Sequence, residues 1–436
     1  MSYSFVEHTI TKRASPDLEL PVANCTHPSR AHWRNNGIAF YKENFGEADF
    51  VANSRTQFGI PLPPDSPATR AEMRTILRKL QVGFALNGLK TGRRSTHMAG
   101  PGAKGTITIL PNKDLPETDF FVPGRTFPCL LRHSNAAFID DAGNVPRGAS
   151  LKFSDQPAGG PLDLIFNSGV VGEIFFDLRN FWDFTMARMK VTPTDWESQR
   201  QFMRKYPASY LGAIEAHREG PSSFADLMYA SKIAMAFKAK DGKRRYLKYR
   251  LLRPDLEKES GLMSDDRQKC AWFMARNADD DRPRDYLRTE FPNRVKAGLE
   301  YVLQFQIWDW DDDRDTHEVF NLCRLWDEAT HPWLDVARVQ LTEPLSTEDT
   351  ERIKVAIIEH PDCLGVPDAH NICDSRSLAW ARANVYPWSG WARGWRWMFG
   401  LGPNVFPAKD EMIDAGPGGA ANPAQLTDGR KPWGSA

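Results

Sequence analysis

Arg382-Ala-Asn-Val-Tyr386-Pro-Trp-Ser-Gly-Trp-Ala-Arg393 combines residue types and spacings that could carry chemistry. The run from Leu378 to Val385 lacks Pro and Gly and predicts helix, so Arg382 and Tyr386 fall one turn apart on one face. A guanidinium held there favours the phenolate, which in water forms only near pH ~10. A phenolate is a hard anionic oxygen donor, and tyrosine is among the few side chains that serve as an axial ligand to haem iron. Arg393, seven residues on, could meet a haem propionate. A tyrosine packed at a helix end is the alternative reading of the same residues. Upstream, Arg94-Ser-Thr96-His97 runs into the small-residue stretch Met-Ala-Gly-Pro-Gly-Ala-Lys-Gly. An imidazole at such a turn can take up and return a proton near neutral pH.

The elements that must position these groups are legible from periodicity. Ala68–Val82 carries Met73, Ile76, Leu77 and Leu80 at helical spacing and predicts an amphipathic helix. Strand signals follow at Thr106–Leu110, Pro128–Arg132, Ala149–Phe153, Asp163–Phe166, Ile233–Lys238, Arg245–Leu251 and Glu300–Trp308. Helix is expected from Arg188 to about Glu219, around Glu351–Glu359, and from Leu378 to Leu401, the last cut by Pro387 and Gly390. The acidic run Asp309–Asp313 reads as a solvated loop. The stretch holding Trp391, Trp395, Trp397, Met398 and Phe399 reads as a helix packed on the core, with a membrane-surface patch as the alternative. Residues 1–65 are polar and broken by prolines, which predicts an arm with a short helix or two. A 66–401 body follows, and 402–436 reads as an extended tail.

At 436 residues the chain can bury a large core, and its 56 basic residues balance 56 acidic ones, so nothing points to nucleic acid. Fourteen Trp and 25 Phe suit either a large flat ligand or a well-filled core. The six cysteines are scattered without Cys-x-x-Cys spacing and read as free thiols in a reducing compartment. No apolar run approaches membrane-spanning length and no signal-peptide pattern opens the chain, so a cytoplasmic location is expected.

Read together and in order, these motifs resemble the haem catalase superfamily. Arg94-Ser-Thr-His97 into Ala103-Lys-Gly105 resembles its distal segment, and Leu131-Arg132-His133-Ser134 resembles the strand with its Arg-Phe-Ser signature. Pro146-Arg-Gly-Ala-Ser-Leu-Lys-Phe153 is similar to its Pro-Arg-Gly-Phe-Ala-Val-Lys-Phe. Asp163-Leu-Ile-Phe-Asn167 resembles the distal asparagine segment, and Tyr246-Leu-Lys-Tyr-Arg250 a barrel strand. His331-Pro-Trp-Leu-Asp-Val-Ala-Arg338 resembles the entry to the final helical region. The Arg382-x-x-x-Tyr386 to Arg393 stretch resembles the proximal helix. The resemblance spans roughly residues 85–396.

It implies an α+β fold: a catalase-like eight-stranded antiparallel β-barrel surrounded by helices, with haem b (iron) buried between barrel and helices. It also implies roles. Tyr386 would ligate the iron and Arg382 would keep it deprotonated. His97 would be the distal acid/base, Asn167 its polar partner and Ser134 a hydrogen-bond partner. Arg94, Arg132 and Arg393 would bind the propionates, and Phe175 or Phe181 would stack near the ring. His133 reads as a packing or propionate-side residue. The departures steer the function. Thr96 replaces the family's usual valine before the distal histidine, which resembles the catalase-related allene oxide synthases acting on fatty-acid hydroperoxides. Trp388-Ser389 stands where the family has Asp-Thr. The expected activity is therefore conversion of a lipid hydroperoxide to an allene oxide, epoxy alcohol or cleavage products. A small catalase or organic-peroxide peroxidase and a haem carrier are the alternatives. Transient contact with a membrane surface and homo-oligomerisation are both compatible with the pattern.

Overall fold

Thr126–Asn135 alternates exposed and buried only as far as Cys129 and is buried on both faces from there to Asn135, yet its side chains still diverge with a two-residue period. Phe127, Cys129, Leu131 and His133 point one way into a closed interior; Arg132 and Ser134 point the other. The computed structural model describes residues 29–58, 65–98, 100–136, 140–169, 174–190, 197–268, 276–277, 279–310, 319–322 and 325–401.

Eight antiparallel strands close the barrel. They are β1 (Gly102–Ile109), β2 (Thr126–Asn135), β3 (Val145–Lys152), β4 (Asp163–Ser168), β5 (Tyr229–Ala230), β6 (Arg244–Leu252), β7 (Leu299–Asp309) and β8 (Trp333–Pro344). Each pairs with the next, and β8 returns to β1 to complete the ring. A short strand, Met235–Lys238, flanks β6 beyond the two-residue β5. The interior is full. Leu131, Ala149, Leu151, Leu164, Tyr249, Leu303, Phe305 and Val339 belong to one buried cluster, joined by Leu287, Phe291 and Val295 from the helix Tyr286–Lys296. Each large apolar side chain so buried contributes about 1.5–3 kcal/mol.

His331–Leu341 departs from expectation. It does not enter a helical region: most of it lies in β8, the stave hydrogen-bonded to both β1 and β7. Alternate residues Ala337, Val339 and Leu341 are buried while Arg338 and Gln340 are exposed, a half-buried strand pattern that local motif matching overlooks.

Helices cover the outside: α1 (Ser29–Phe45), α2 (Glu47–Phe58), α3 (Pro67–Thr91), α4 (Leu178–Arg188), α5 (Glu197–Lys205), α6 (Pro207–Ala216), then α7 (Tyr286–Lys296), α8 (Thr347–Arg352) and α9 (Ser377–Met398). The N-terminal helices α1 and α2 pack on α6 around Tyr41, Phe50, Tyr210 and Ile214. Ser66 caps α3 through Thr69 N–H, and Gly92 ends it in the left-handed conformation at φ 68°. Met73, Ile76, Leu77 and Leu80 face Ala381 and Val385 of α9, as their spacing predicts.

Three helical expectations need correction. The expected cut at Pro387 and Gly390 does not occur, and α9 runs unbroken through both. It is clamped against α3, where a Cβ on Gly88 would lie 3.3 Å from the Ser389 carbonyl, so packing holds the turn that Pro387 leaves one hydrogen bond short. Helix around Glu351–Glu359 stops at Arg352. The Arg188–Glu219 helix is two helices, α5 and α6, ending in a two-residue strand at His217–Arg218. Asp309 closes β7 and pairs with Arg245, whereas 311–313 and the tail 402–436 lie outside the described residues. Cys129, Cys363 and Cys373 are free thiols; Cys25, Cys270 and Cys323 also lie outside.

Lys152 and Asp163, opposite each other in the β3–β4 register, form a fully buried ion pair at 2.7 Å. Burial pushes the Asp163 carboxyl up to about 6 despite the Lys152 ammonium beside it. Asp163 also accepts Ala356 N–H at 2.9 Å, which ties the segment after α8 to the barrel wall. Replacing Lys152 by Met strands a buried carboxylate and is expected to cost about 3–5 kcal/mol in equilibrium denaturation. The double change to Lys152→Met and Asp163→Leu should recover most of that loss. Equal destabilisation of both variants would show that the pair itself is not what matters.

Candidate active site

Because the barrel interior is occupied, the groups singled out by sequence gather on its outer wall. Outward-facing residues of β2, β3 and β4, the turn before β1, and the inner faces of α3 and α9 enclose about 810 Å³ of empty space, its open mouth included. Arg94, Thr96, His97, Arg132, Ser134, Asn167, Arg382, Tyr386 and Arg393 all line it. Residues almost 300 positions apart thus converge on one cavity.

His97 sits at φ 56°, the one left-handed non-glycine among the described residues, and its N–H donates to the Ala136 carbonyl at 2.8 Å. Such a backbone is strained for most side chains and persists where surrounding structure holds it. Its Nδ1 lies 2.9 Å from Ser134 Oγ, which orients the ring. Gly148 on β3 makes room: a Cβ there would lie 2.5 Å from that same Nδ1. Burial, followed by the guanidiniums of Arg132, Arg382 and Arg94, pushes the His97 imidazole down to about 3. The ring is therefore neutral across physiological pH and can accept as well as donate a hydrogen bond.

At another part of the wall three arginines meet one carboxylate. Glu351, at the end of α8 and almost fully buried, accepts from Arg132 Nη2 at 3.0 Å and from Arg94 Nη1. Arg94 Nη2 also donates to the Ile353 carbonyl at 2.6 Å. Burial raises the Glu351 carboxyl, but Arg94 and Arg132 outweigh it and hold the group below its ordinary value. Burial likewise draws Arg393 down to about 10. Three guanidiniums against one carboxylate leave two uncompensated positive charges. Arg393 Nη1, Arg132 Nε and Asn167 Oδ1 are buried without a hydrogen-bond partner. Orphaned groups of this kind call for a ligand with complementary atoms. An anionic ligand fits the charge, and Tyr386 offers an oxygen donor in the same cavity.

Sequence reasoning overlooked Glu351, Phe84, Val355 and Gly148. Glu351 was hidden in an acidic, surface-like run, and only the need to neutralise three arginines could have pointed to it. Phe175 and Phe181 are corrections. Neither lines the cavity; both pack beside α9 near Leu378, Ala379 and Ala383. His133, read as a packing or propionate-side residue, is a packing residue: strand alternation turns it into the barrel. There it stacks on Phe224 at 5.3 Å and meets Tyr301 Oη through Nε2 at 2.9 Å, and burial pushes it down to about 3.

No protein-family model matches the chain. It is 37% identical over 363 residues to the allene oxide synthase-lipoxygenase protein of Plexaura homomalla, covering 82% of this chain and 33% of that one. It is 29% identical over 362 residues to a linolenate 9R-lipoxygenase of Nostoc sp., covering 78% of this chain and 43% of the relative. The chain thus spans a third to less than half of the length of these relatives. In structure it resembles a fungal catalase with a TM-score of 0.54 at 18% identity, covering 74% of this chain and 65% of that one. The closed barrel and its helical cover are a catalase-like fold, and the similarity of most of the chain to a third of the allene oxide synthase-lipoxygenase protein supports the catalase-related allene oxide synthase branch.

Proposed function

We propose that this chain is a haem enzyme that converts polyunsaturated fatty-acid hydroperoxides to an allene oxide, epoxy alcohol or cleavage products without an external reductant. The observation that carries the reading is the convergence of Tyr386 and Arg382 with Thr96 and His97 on one cavity whose Arg94–Arg132–Arg393 wall is offset by the single carboxylate of Glu351. Haem, when bound, supplies the ferric centre at which a hydroperoxide O–O bond is cleaved. Tyr386 would hold the iron through its side-chain oxygen, with Arg382, one turn before it, lining the same cavity. Arg393 and the Arg94–Glu351–Arg132 cluster would take the two propionates. Relatives whose names include allene oxide synthase and linolenate lipoxygenase support a lipid substrate.

The chain's own residues then handle the proton. His97, neutral and held by Ser134, accepts the hydroperoxide O–H proton and returns it to the oxygen left after cleavage. The Thr96 hydroxyl lines the same cavity and can hydrogen-bond an oxygen there or the imidazole. Asn167, whose Oδ1 lacks a partner, accepts from a substrate hydroxyl or peroxide hydrogen.

Haem-loaded protein should rapidly destroy the conjugated diene of a polyunsaturated fatty-acid hydroperoxide while releasing little oxygen from hydrogen peroxide. Fast oxygen release with slow diene loss would instead mean a compact catalase. Thr96→Val should raise oxygen release by about tenfold, the worth of one hydrogen bond at the reacting oxygen. Gly148→Ala forces the His97 ring aside and should lower lipid turnover about a hundredfold while haem binding persists. A Gly148→Ala enzyme at full activity would remove His97 from the reaction. Since His97 stays neutral, the rate profile should show no inflection at the ordinary histidine value of 6.5.

A further inference from the structure

The two helices that close the cavity have a second face. On α9, Trp388, Trp391, Trp395 and Phe399 recur at helical spacing and are exposed, Trp391 by 53% and Phe399 by 69%. Their rings form a continuous ladder with centroid separations of 6.3, 5.2 and 5.9 Å. On α3, Val82, Leu86 and Leu89 form a parallel exposed stripe, Leu86 at 60%. Arg396 joins the helices by donating to the Leu89 carbonyl at 3.3 Å. The sequence reading of this stretch as core packing therefore fails for Trp391, Trp395, Met398 and Phe399. Exposed apolar stripes of this extent mark interaction surfaces on a folded protein.

Charge narrows the partner. The chain as a whole is balanced, yet α9 contains no acidic residue, and while Arg382 and Arg393 line the cavity, Arg396 lies at the junction with the α3 stripe. Helix α3 carries Arg70, Arg74, Arg78, Lys79 and Lys90 against Glu72 alone. Lys90 is exposed beside Leu89, and Arg396 donates to the Leu89 carbonyl, so cations stand where the two stripes meet. Tryptophans flanked by Lys and Arg favour the boundary between acyl chains and headgroups, and excess cations favour an anionic leaflet. Among the described residues no helix is long and apolar enough to cross a membrane, so the geometry is that of a helix lying on the surface. The inner faces of the same helices present Phe84, Tyr386 and Arg393 to the cavity, a helix diameter of ~10–12 Å away.

We propose that the outer face of α3 and α9 docks on an anionic phospholipid surface, with the tryptophan ladder in the interface and the basic fringe on the headgroups. The assignment rests on the lipid-hydroperoxide reading above, and gives that substrate a short path from bilayer to cavity.

The test uses the full haem-loaded chain and no hydroperoxide. Sedimentation with phosphatidylcholine vesicles is compared with sedimentation with vesicles that also contain phosphatidylglycerol. Fluorescence quenching by brominated acyl chains reports tryptophan insertion. Binding to the anionic vesicles, weakened by salt, is expected. The combined Trp391→Ser, Trp395→Ser and Phe399→Ser variant should partition at least about tenfold more weakly with its haem spectrum unchanged. Absence of binding to anionic vesicles, or binding indifferent to the triple variant, overturns the proposal. So does binding seen only after removal of residues 402–436, or a dimer that the triple variant dissociates, since each assigns the face to another occupant. Diene loss with micellar hydroperoxide, measured separately, keeps the catalytic reading independent: a chain that ignores vesicles but consumes the hydroperoxide refutes only the docking surface.

Discussion

A barrel filled with side chains has no room for a large ligand inside, and that constraint places everything else. The strands bury Leu131, Leu151, Leu164 and Leu303 inward, so chemistry is confined to the residues pointing out. On β2, β3 and β4 these are Arg132 and Ser134, Gly148 and Ser150, and Ile165 and Asn167. Helices α3 and α9 then complete a cavity against a wall that is rigid because its other side is packed. A one-residue slip in β2 would send Arg132 and Ser134 into the barrel and bring His133 to the cavity, which the dense core forbids.

Charge is the second organising term. Three guanidiniums at one wall of a largely buried cavity repel each other, and a single carboxylate, Glu351, is brought in from α8 to bind two of them. The neutralisation is partial. The remaining positive charge and the unpartnered atoms on Arg132 and Arg393 make the cavity selective for an anionic ligand before any ligand arrives. The same field helps keep His97 uncharged, so the arrangement that would anchor the ligand also sets the protonation state of His97.

Helices α3 and α9 do two jobs on opposite faces. Their inner faces hold Phe84, Tyr386 and Arg393, and close packing at Gly88 keeps α9 helical across Pro387. Their outer faces carry aromatic and aliphatic stripes that are exposed among the described residues. Under the proposed function, an apolar and reactive substrate would meet a docking surface and a cavity that share one pair of helices.

Periodicity and motif order in the sequence were enough to predict α3, most of the barrel strands and nearly all of the cavity-lining polar residues. Those signals are local: Met73, Ile76, Leu77 and Leu80 repeat at helical spacing, and Arg382 precedes Tyr386 by one turn. What depended on contacts between distant segments was not legible. The β8 strand looked like a lead into helix because its partners, β1 and β7, are more than 20 residues away in sequence. Pro387 looked like a break because the clamp that overrides it lies on α3. Phe175 and Phe181 were expected near the ring from their motif position alone, yet they turn to pack beside α9. Glu351 is the clearest case. Its identity is in the sequence, but its role exists only where Arg94 and Arg132 meet it, and ion pairing in a buried cavity is a property of three-dimensional neighbours and not of sequence spacing.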